Sequence, residues 1–135
     1  MTVSVGALQG RPFPLTLAAW AFILTGAGGI LKDIVPLVTG GAPARQGLLA
    51  EGASMLAFIW FIRALAVVGG VGVLGGRRWA RWLLVAWMVF HVGISLFHSI
   101  GEALAHVLIF AALTYAMYRR PSAAWFTEAE PVSRT

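Results

Sequence analysis

Five side chains of the kinds that bind metals, move protons or hold an ionic ligand lie within otherwise apolar stretches of this sequence. They are Arg63, His91, His98, Glu102 and His106. Arg63 lies near the middle of the apolar run at residues 55–74. A guanidinium at that depth in a bilayer costs about 3 kcal/mol on insertion scales and usually faces a buried partner or a polar cavity. Arg63 therefore predicts an integral membrane protein with a polar site inside it.

The spacing of these residues predicts that they meet. His91 and His98 are seven residues apart and share one helix face, while Glu102 and His106 are four apart and share another. The short connection at residues 99–101 makes the two helices antiparallel neighbours. At about 1.5 Å per residue, Arg63, His91 and His106 all lie ~18–21 Å from the arginine-rich ends of their helices. We therefore expect one polar layer across three helices.

A metal centre is one chemistry that this layer could support. His98, Glu102 and His106 offer two imidazoles and a carboxylate at helical spacing, a ligand set that suits zinc or iron. A haem held between His91 and His106 is disfavoured, because neighbouring helices lie about 8–10 Å apart and leave little room for a porphyrin. The sequence leaves the cofactor open.

Acid–base catalysis is the second chemistry. His91, Glu102 and His106 in a dry pocket could exchange protons with an apolar substrate, as an isomerase or cyclase requires.

Ligand binding without catalysis is the third, and it is the function that we favour. The ligand would be a quinone or another small apolar or amphipathic molecule, held in a polar pocket inside the membrane. The expected binding residues combine the polar layer with two tryptophans as walls: Arg63, His91, His98, Glu102, His106, Trp60 and Trp87. A purely structural alternative stays open, in which Arg63 pairs with Asp33 or Glu102 and has no further role.

Composition places the chain in the membrane class. Of its 135 residues, 59% are hydrophobic and 11% are charged, whereas soluble domains carry about 25% charged residues. The net charge of +5 comes with arginines at the ends of the apolar runs, which argues against a nucleic-acid partner and for contact with membrane lipid. The absence of cysteine excludes disulfides and thiolate ligands.

Four apolar runs predict an all-α fold, a four-helix integral membrane bundle that forms a single domain over residues 1–135. The spans are expected at about residues 15–35, 53–74, 79–97 and 102–118, each close to the ~20 residues that cross a bilayer. The Gly- and Pro-rich segment 36–47 is expected to be a flexible outer loop, and the tail from residue 121 to be frayed.

Arginine placement predicts the orientation. One end of the spans carries a cluster of basic residues, formed by Arg11, Arg77, Arg78, Arg81, Arg119 and Arg120. The positive-inside rule then puts both termini in the cytoplasm, as in a multi-pass protein of the bacterial inner membrane.

Glycines at three- and four-residue spacing, including Gly72 and Gly76, indicate close helix packing. Such contacts could lie within one bundle, or they could join copies in a homo-oligomer or a subunit to a larger complex. An oligomeric transporter or a structural accessory subunit therefore remains an alternative.

The C-terminal half resembles a known group. Residues 75–82, Gly-Gly-Arg-Arg-Trp-Ala-Arg-Trp, precede two apolar runs and then residues 120–126, Arg-Pro-Ser-Ala-Ala-Trp-Phe. This layout is similar to that of small four-helix bacterial inner-membrane proteins, including the DoxX-like superfamily. The resemblance implies a four-helix membrane fold. Some members accompany quinone-linked oxidoreductases, but none of the matched positions carries a catalytic signature.

Overall fold

The computed structural model of the chain describes residues 10–50 and 52–128, apart from the side chains of Ala44, Leu48 and Glu128. This part of the chain is all-helical and contains no strand. Its helices are α1 (Phe13–Thr39), α2 (Ala42–Ala50), α3 (Ala53–Leu74), α4 (Arg78–Ser95), α5 (Ile100–Tyr118) and α6 (Arg120–Glu128).

The first helix extends beyond the predicted end of the first span. Pro12 caps α1, and Pro14 lies in its first turn, where a missing N–H costs no helical hydrogen bond. The first span was expected to end at about residue 35, yet α1 continues through Pro36 to Thr39 and closes with a hydrogen bond of 2.9 Å from Gly40 N–H to the Pro36 carbonyl.

The segment predicted to be a flexible outer loop is largely helical. Residues 36–39 complete α1, and α2 begins at Ala42 with Pro43 in its first turn. Arg45 Nε donates to the Leu37 carbonyl over 2.9 Å and ties α2 back to the end of α1. This hydrogen bond joins the two helices across Gly40 and Gly41.

A tight glycine turn makes α3 and α4 antiparallel neighbours. α3 occupies residues 53–74, the residues of the second predicted span, and ends at Gly75 and Gly76. Gly76 has φ of 69°, a left-handed conformation that favours glycine. The Arg77 N–H then bonds the Gly72 carbonyl over 2.9 Å, and α4 begins at the next residue.

A serine cap starts α5. Ser99 Oγ accepts a hydrogen bond of 3.1 Å from the Glu102 N–H, and the negative Glu102 side chain lies in the first turn, where the helix dipole favours it. The tail that was expected to fray from residue 121 is helical to Glu128. Ser122 is fully buried and donates to the Ala116 carbonyl over 2.6 Å, which fixes α6 against α5.

The four long helices pack in a ring. α1 contacts α3, α3 contacts α4, α4 contacts α5, and α5 returns to α1 through a smaller contact. The buried core gathers towards the arginine-rich end and includes Leu15, Phe22, Val73, Leu84, Met117 and Phe126. Glycines permit this packing, because a Cβ at Gly70 would lie 2.7 Å from the Ala19 carbonyl oxygen.

Among the helices of the described ranges, three, α1, α3 and α5, are long enough and apolar enough to cross a membrane. Many of their large apolar side chains face away from the core, as with Leu108, which is 71% exposed. Such exposure suits a surface covered by lipid. α4 is 18 residues long, but two arginines and a histidine lower its apolar character.

Candidate functional site

Arg63 is held at the interface of α1 and α3. Its Nη1 forms an ion pair with Asp33 Oδ2 and donates to the Gly29 carbonyl over 2.7 Å. Trp60 Nε1 donates to the same Asp33 oxygen over 3.2 Å. The two charged side chains are 26% and 13% exposed, so the pair is largely enclosed. Of the two carboxylates that the sequence offered to Arg63, the structure pairs it with Asp33.

Two glycines make room for this ion pair. A Cβ at Gly29 would lie 2.7 Å from Arg63 Nε, and one at Gly26 would lie 2.5 Å from the Arg63 carbonyl oxygen. Both distances are shorter than real Cβ contacts. At Gly26 a Cβ would meet the α3 backbone, so the helices reach this separation only with glycine there, whereas at Gly29 it would meet the Arg63 side chain. The three-residue spacing of these glycines was visible in the sequence, but it did not indicate which side chain they accommodate.

Trp87 lies between the ion pair and the histidines. Its indole Nε1 donates to the Ile62 carbonyl over 2.7 Å, which anchors α4 to α3 beside Arg63. The His91 ring stacks on the indole with centroids 3.7 Å apart and planes tilted by 24°. Within residues 10–50 and 52–128, no hydrogen bond or ion pair joins Arg63 to a histidine or to Glu102. The expected polar layer is therefore divided into two groups.

The second group joins α4 to α5. The ring centroids of His91 and His106 are 6.4 Å apart. His106 Nδ1 lies 2.8 Å from the Glu102 carbonyl oxygen and 2.9 Å from Ser95 Oγ. Ser95 is only 4% exposed, and its hydroxyl donates to the His91 carbonyl over 2.8 Å. Ser95, which lies between His91 and His98 on one face of α4, therefore connects the two histidine-bearing helices.

The hydrogen bonds favour the neutral tautomer with the proton on Nδ1 in both rings. A backbone carbonyl can only accept, so Nδ1 of His106 donates to Glu102 O, and Nδ1 of His91 donates to Trp87 O over 3.0 Å. A neutral imidazole with its proton on Nδ1 keeps a lone pair on Nε2. Neither Nε2 has a hydrogen-bond partner among the described residues. Both rings thus have an acceptor free for a ligand.

His98 and Glu102 do not join this group through their side chains. Both are exposed, and His98 Nδ1 lies 3.2 Å from the Ile94 carbonyl oxygen of its own helix. Glu102 contributes only its backbone carbonyl to His106. No three His, Cys, Asp or Glu side chains are close enough to hold a metal ion in the described part of the chain. His98, Glu102 and His106 are therefore not gathered into one ligand set, because His98 precedes α5 and its ring lies against the end of α4.

A cleft opens beside His106, between α1, α4 and α5. Its volume is about 160 Å³, and its lining residues are Ala21, Phe22, Thr25, Trp87, Met88, His106, Ile109 and Leu113. The Phe22 and Trp87 rings meet edge to face with centroids 5.6 Å apart. Thr25 and His106 are the polar residues of this lining, and no charged side chain contributes to it. The position of Thr25 in the cleft could not be predicted from the sequence, because a single threonine in an apolar helix does not indicate a binding site.

Trp87 also borders a second hollow. This hollow of about 180 Å³ lies between α3 and α4 and is lined entirely by apolar or aromatic side chains: Ile62, Leu65, Leu83, Ala86, Trp87 and Phe90. It offers no polar group that would orient a ligand. Trp60 was expected to form a wall of the pocket, but it donates a hydrogen bond to Asp33 at the interface of α1 and α3.

Comparison with protein-family models, curated proteins and solved structures finds no match to this chain. The DoxX-like resemblance of its C-terminal half therefore stays a hypothesis.

Proposed function

We propose that this chain is a membrane protein that binds a small lipid-soluble molecule in the cleft between α1, α4 and α5. His106 would accept a hydrogen bond from a ring hydroxyl of the ligand. The observation that carries the proposal is the arrangement of His106, which lines the cleft while its Nδ1 is fixed by Glu102 O and Ser95 Oγ.

The size of the cleft favours a single ring. A cavity of about 150 Å³ lined by apolar side chains accommodates benzene, and this cleft has a volume of about 160 Å³. The edges and faces of Phe22 and Trp87 suit an aromatic or quinonoid ring. A longer alkyl tail would extend from the cleft into the surrounding lipid.

The polar groups favour a ligand that carries a hydroxyl. His106 offers a lone pair on Nε2, and the Thr25 hydroxyl makes no hydrogen bond with the described residues. Since a neutral Nε2 accepts and cannot donate, it discriminates in favour of a phenol or quinol over the oxidised quinone. A charged ligand would lack a counter-ion in this lining. Phenolic and quinol lipids therefore fit best.

The membrane arrangement that we propose has four spans, with α4 packed between α3 and α5. At 1.5 Å per residue, the 18 residues of α4 extend about 27 Å, close to the ~30 Å of hydrocarbon. Arg11 Nη1 bonds the Leu74 carbonyl over 3.0 Å, and Arg78 Nε bonds the Phe126 carbonyl over 3.3 Å, so the basic residues gather at one end of the bundle. By the positive-inside rule, this end and both termini face the cytoplasm of a bacterium.

A catalytic role for the same residues has less support. An acid–base enzyme using His91, His106 and Glu102 requires the carboxylate near the rings, but Glu102 reaches His106 through its backbone carbonyl. Arg63 in this account is a structural residue that joins α3 to α1 through Asp33.

Binding of a matched ligand pair tests the proposal. The full chain in lipid nanodiscs is titrated with a 4-alkylphenol and with the methyl ether of that phenol, in which a methyl group replaces the hydroxyl hydrogen. We expect the phenol to bind about fivefold more tightly, because one hydrogen bond contributes ~1 kcal/mol. In His106→Phe, which keeps a ring but removes the nitrogen acceptor, the two ligands should bind equally.

His98→Phe is the matched control, since His98 lies outside the cleft and is exposed. This variant should keep the fivefold preference for the phenol. Equal binding of phenol and ether by the unmodified chain, or the same loss in both histidine variants, would contradict the proposal.

A further inference from the structure

Three buried N–H groups at the arginine-rich end have no hydrogen-bond partner among the described residues. They are Arg81 Nε in the first turns of α4, Arg119 Nε between α5 and α6, and Trp125 Nε1 in α6. Buried donors in folded proteins are almost always satisfied, so each unsatisfied one indicates a missing acceptor. All three are donors, and two of them belong to cations. An anion with several oxygen atoms would satisfy all three.

Aromatic rings hold these donors in one region. The Arg81 guanidinium lies 4.4 Å from the centroid of the Phe126 ring and 5.1 Å from that of Tyr118. Phe126 directly follows Trp125 in the chain, and Tyr118 directly precedes Arg119. Contacts to Arg81 thus bring α4, the end of α5 and α6 to one place.

Packing of α6 holds the aromatic rings that Arg81 contacts. Phe126 is fully buried, and Trp125 packs against the core, so α6 cannot shift freely beneath Arg81. An arginine stacked on rings loses less rotamer freedom when it binds an anion, because its planar group is already oriented. This separates Arg81 from an ordinary surface arginine, whose charge is solvated on all sides.

We propose that Arg81, Arg119 and Trp125 bind the phosphate of an anionic phospholipid. Phosphate supplies acceptor oxygens for guanidinium and indole N–H groups. Basic pockets between membrane helices on the cytoplasmic side bind such headgroups, and aromatic side chains lie at the same depth. This site is separate from the cleft that His106 lines, since none of the three residues contributes to that cleft.

Lipid retention in native mass spectrometry tests the site. The full chain in detergent is titrated with phosphatidylglycerol, phosphatidylcholine, inorganic phosphate or glycerol 3-phosphate. We expect about tenfold tighter binding of phosphatidylglycerol than of phosphatidylcholine, and weak binding of the two soluble phosphates. Competition by inorganic phosphate at the affinity of the lipid would overturn the lipid assignment and leave a site for a small anion.

Variants separate a defined site from general positive charge. Arg81→Gln and Arg119→Gln should each lower the affinity for phosphatidylglycerol by about tenfold. Arg11→Gln removes the same charge at the same end, but Arg11 already donates to Leu74 O and to Thr16 Oγ1. It should change the affinity less than twofold. An equal effect of Arg11→Gln and Arg81→Gln would overturn the proposal in favour of non-specific attraction.

Trp125→Phe covers the case in which an arginine variant fails to fold. It keeps a smaller aromatic ring against the core and removes the N–H, so it should fold and bind phosphatidylglycerol several-fold more weakly. Unchanged affinity in Trp125→Phe, together with unchanged affinity in whichever arginine variant folds, would show that the three donors share no lipid.

Discussion

Adding one methyl group beside Arg63 should destabilise the bundle, whereas adding it one residue earlier should not. In Gly29→Ala the new Cβ would lie 2.7 Å from Arg63 Nε, 2.9 Å from Cδ and 3.0 Å from Cζ. The arginine cannot simply swing away, since its Nη1 is bound to both Asp33 and the Gly29 carbonyl. Gly28 is exposed, and a Cβ there meets nothing within 4 Å.

The two substitutions should therefore have different effects on the free energy of unfolding. Overpacking costs about 1–3 kcal/mol, so Gly29→Ala should lower the free energy of unfolding by about that amount. Replacing glycine by alanine in a helix contributes up to ~1 kcal/mol of stability when nothing clashes. Gly28→Ala should accordingly be neutral or slightly stabilising.

Reversible unfolding of the purified chain in mixed micelles, followed by circular dichroism, measures this difference. A double-mutant cycle makes the test specific, because Arg63→Ala removes the side-chain atoms that the new methyl would meet. In that background Gly29→Ala should cost no more than Gly28→Ala. If Gly29→Ala proved as stable as Gly28→Ala in the unmodified chain, Arg63 would not lie across Gly29 and the described ion pair would be refuted.

Two further substitutions test the contacts around Arg63 and Trp87. Asp33→Asn leaves Arg63 without its counter-charge and should lower the free energy of unfolding by about 3 kcal/mol. The control is Lys32→Gln at the exposed neighbouring residue, which should lower it by less than about 0.5 kcal/mol. Equal effects of the two substitutions would contradict the ion pair. Trp87→Phe removes the N–H that bonds the Ile62 carbonyl and should lower the free energy of unfolding by at least about 1 kcal/mol. Trp82→Phe should lower it less, because the Trp82 ring is 65% exposed. A greater loss of thermal stability in Trp82→Phe than in Trp87→Phe would contradict this hydrogen bond.

Helix positions could largely be anticipated from the sequence where apolar runs end at clear signals. The run that became α3 is followed by Gly75 and Gly76, and the Ser99 cap precedes α5. The end of α1 was harder to predict. The first span was expected to end before Pro36, but a missing N–H is tolerated there because the rest of the helix is held by packing against α3.

The site was harder to anticipate because a sequence gives depth along a helix more reliably than direction around the bundle. Counting residues placed Arg63, His91 and His106 at one height. It could not show that Arg63 faces α1 while the histidines join α4 to α5. The division depends on Trp87, whose indole packs between α3 and the His91 ring, and such a contact is set by tertiary packing.

The contacts of the small polar residues could not be predicted for a related reason. Ser95 and Thr25 have no charge and no motif, so their importance appears only when α4, α5 and α1 are assembled. Buried serine and threonine hydroxyls commonly bond a carbonyl of their own helix, as Ser95 does with His91. Its second contact, to His106, could not be read from spacing within one helix.

The most direct test of the ligand-binding account is ¹⁵N NMR of the imidazole nitrogens in the full chain, with and without the 4-alkylphenol. His106 should carry its proton on Nδ1, and only its Nε2 resonance should shift towards the hydrogen-bonded position when the phenol is added. The His98 resonances should stay in place. A proton on Nε2 of His106, or a phenol that moves the two histidines equally, would contradict it.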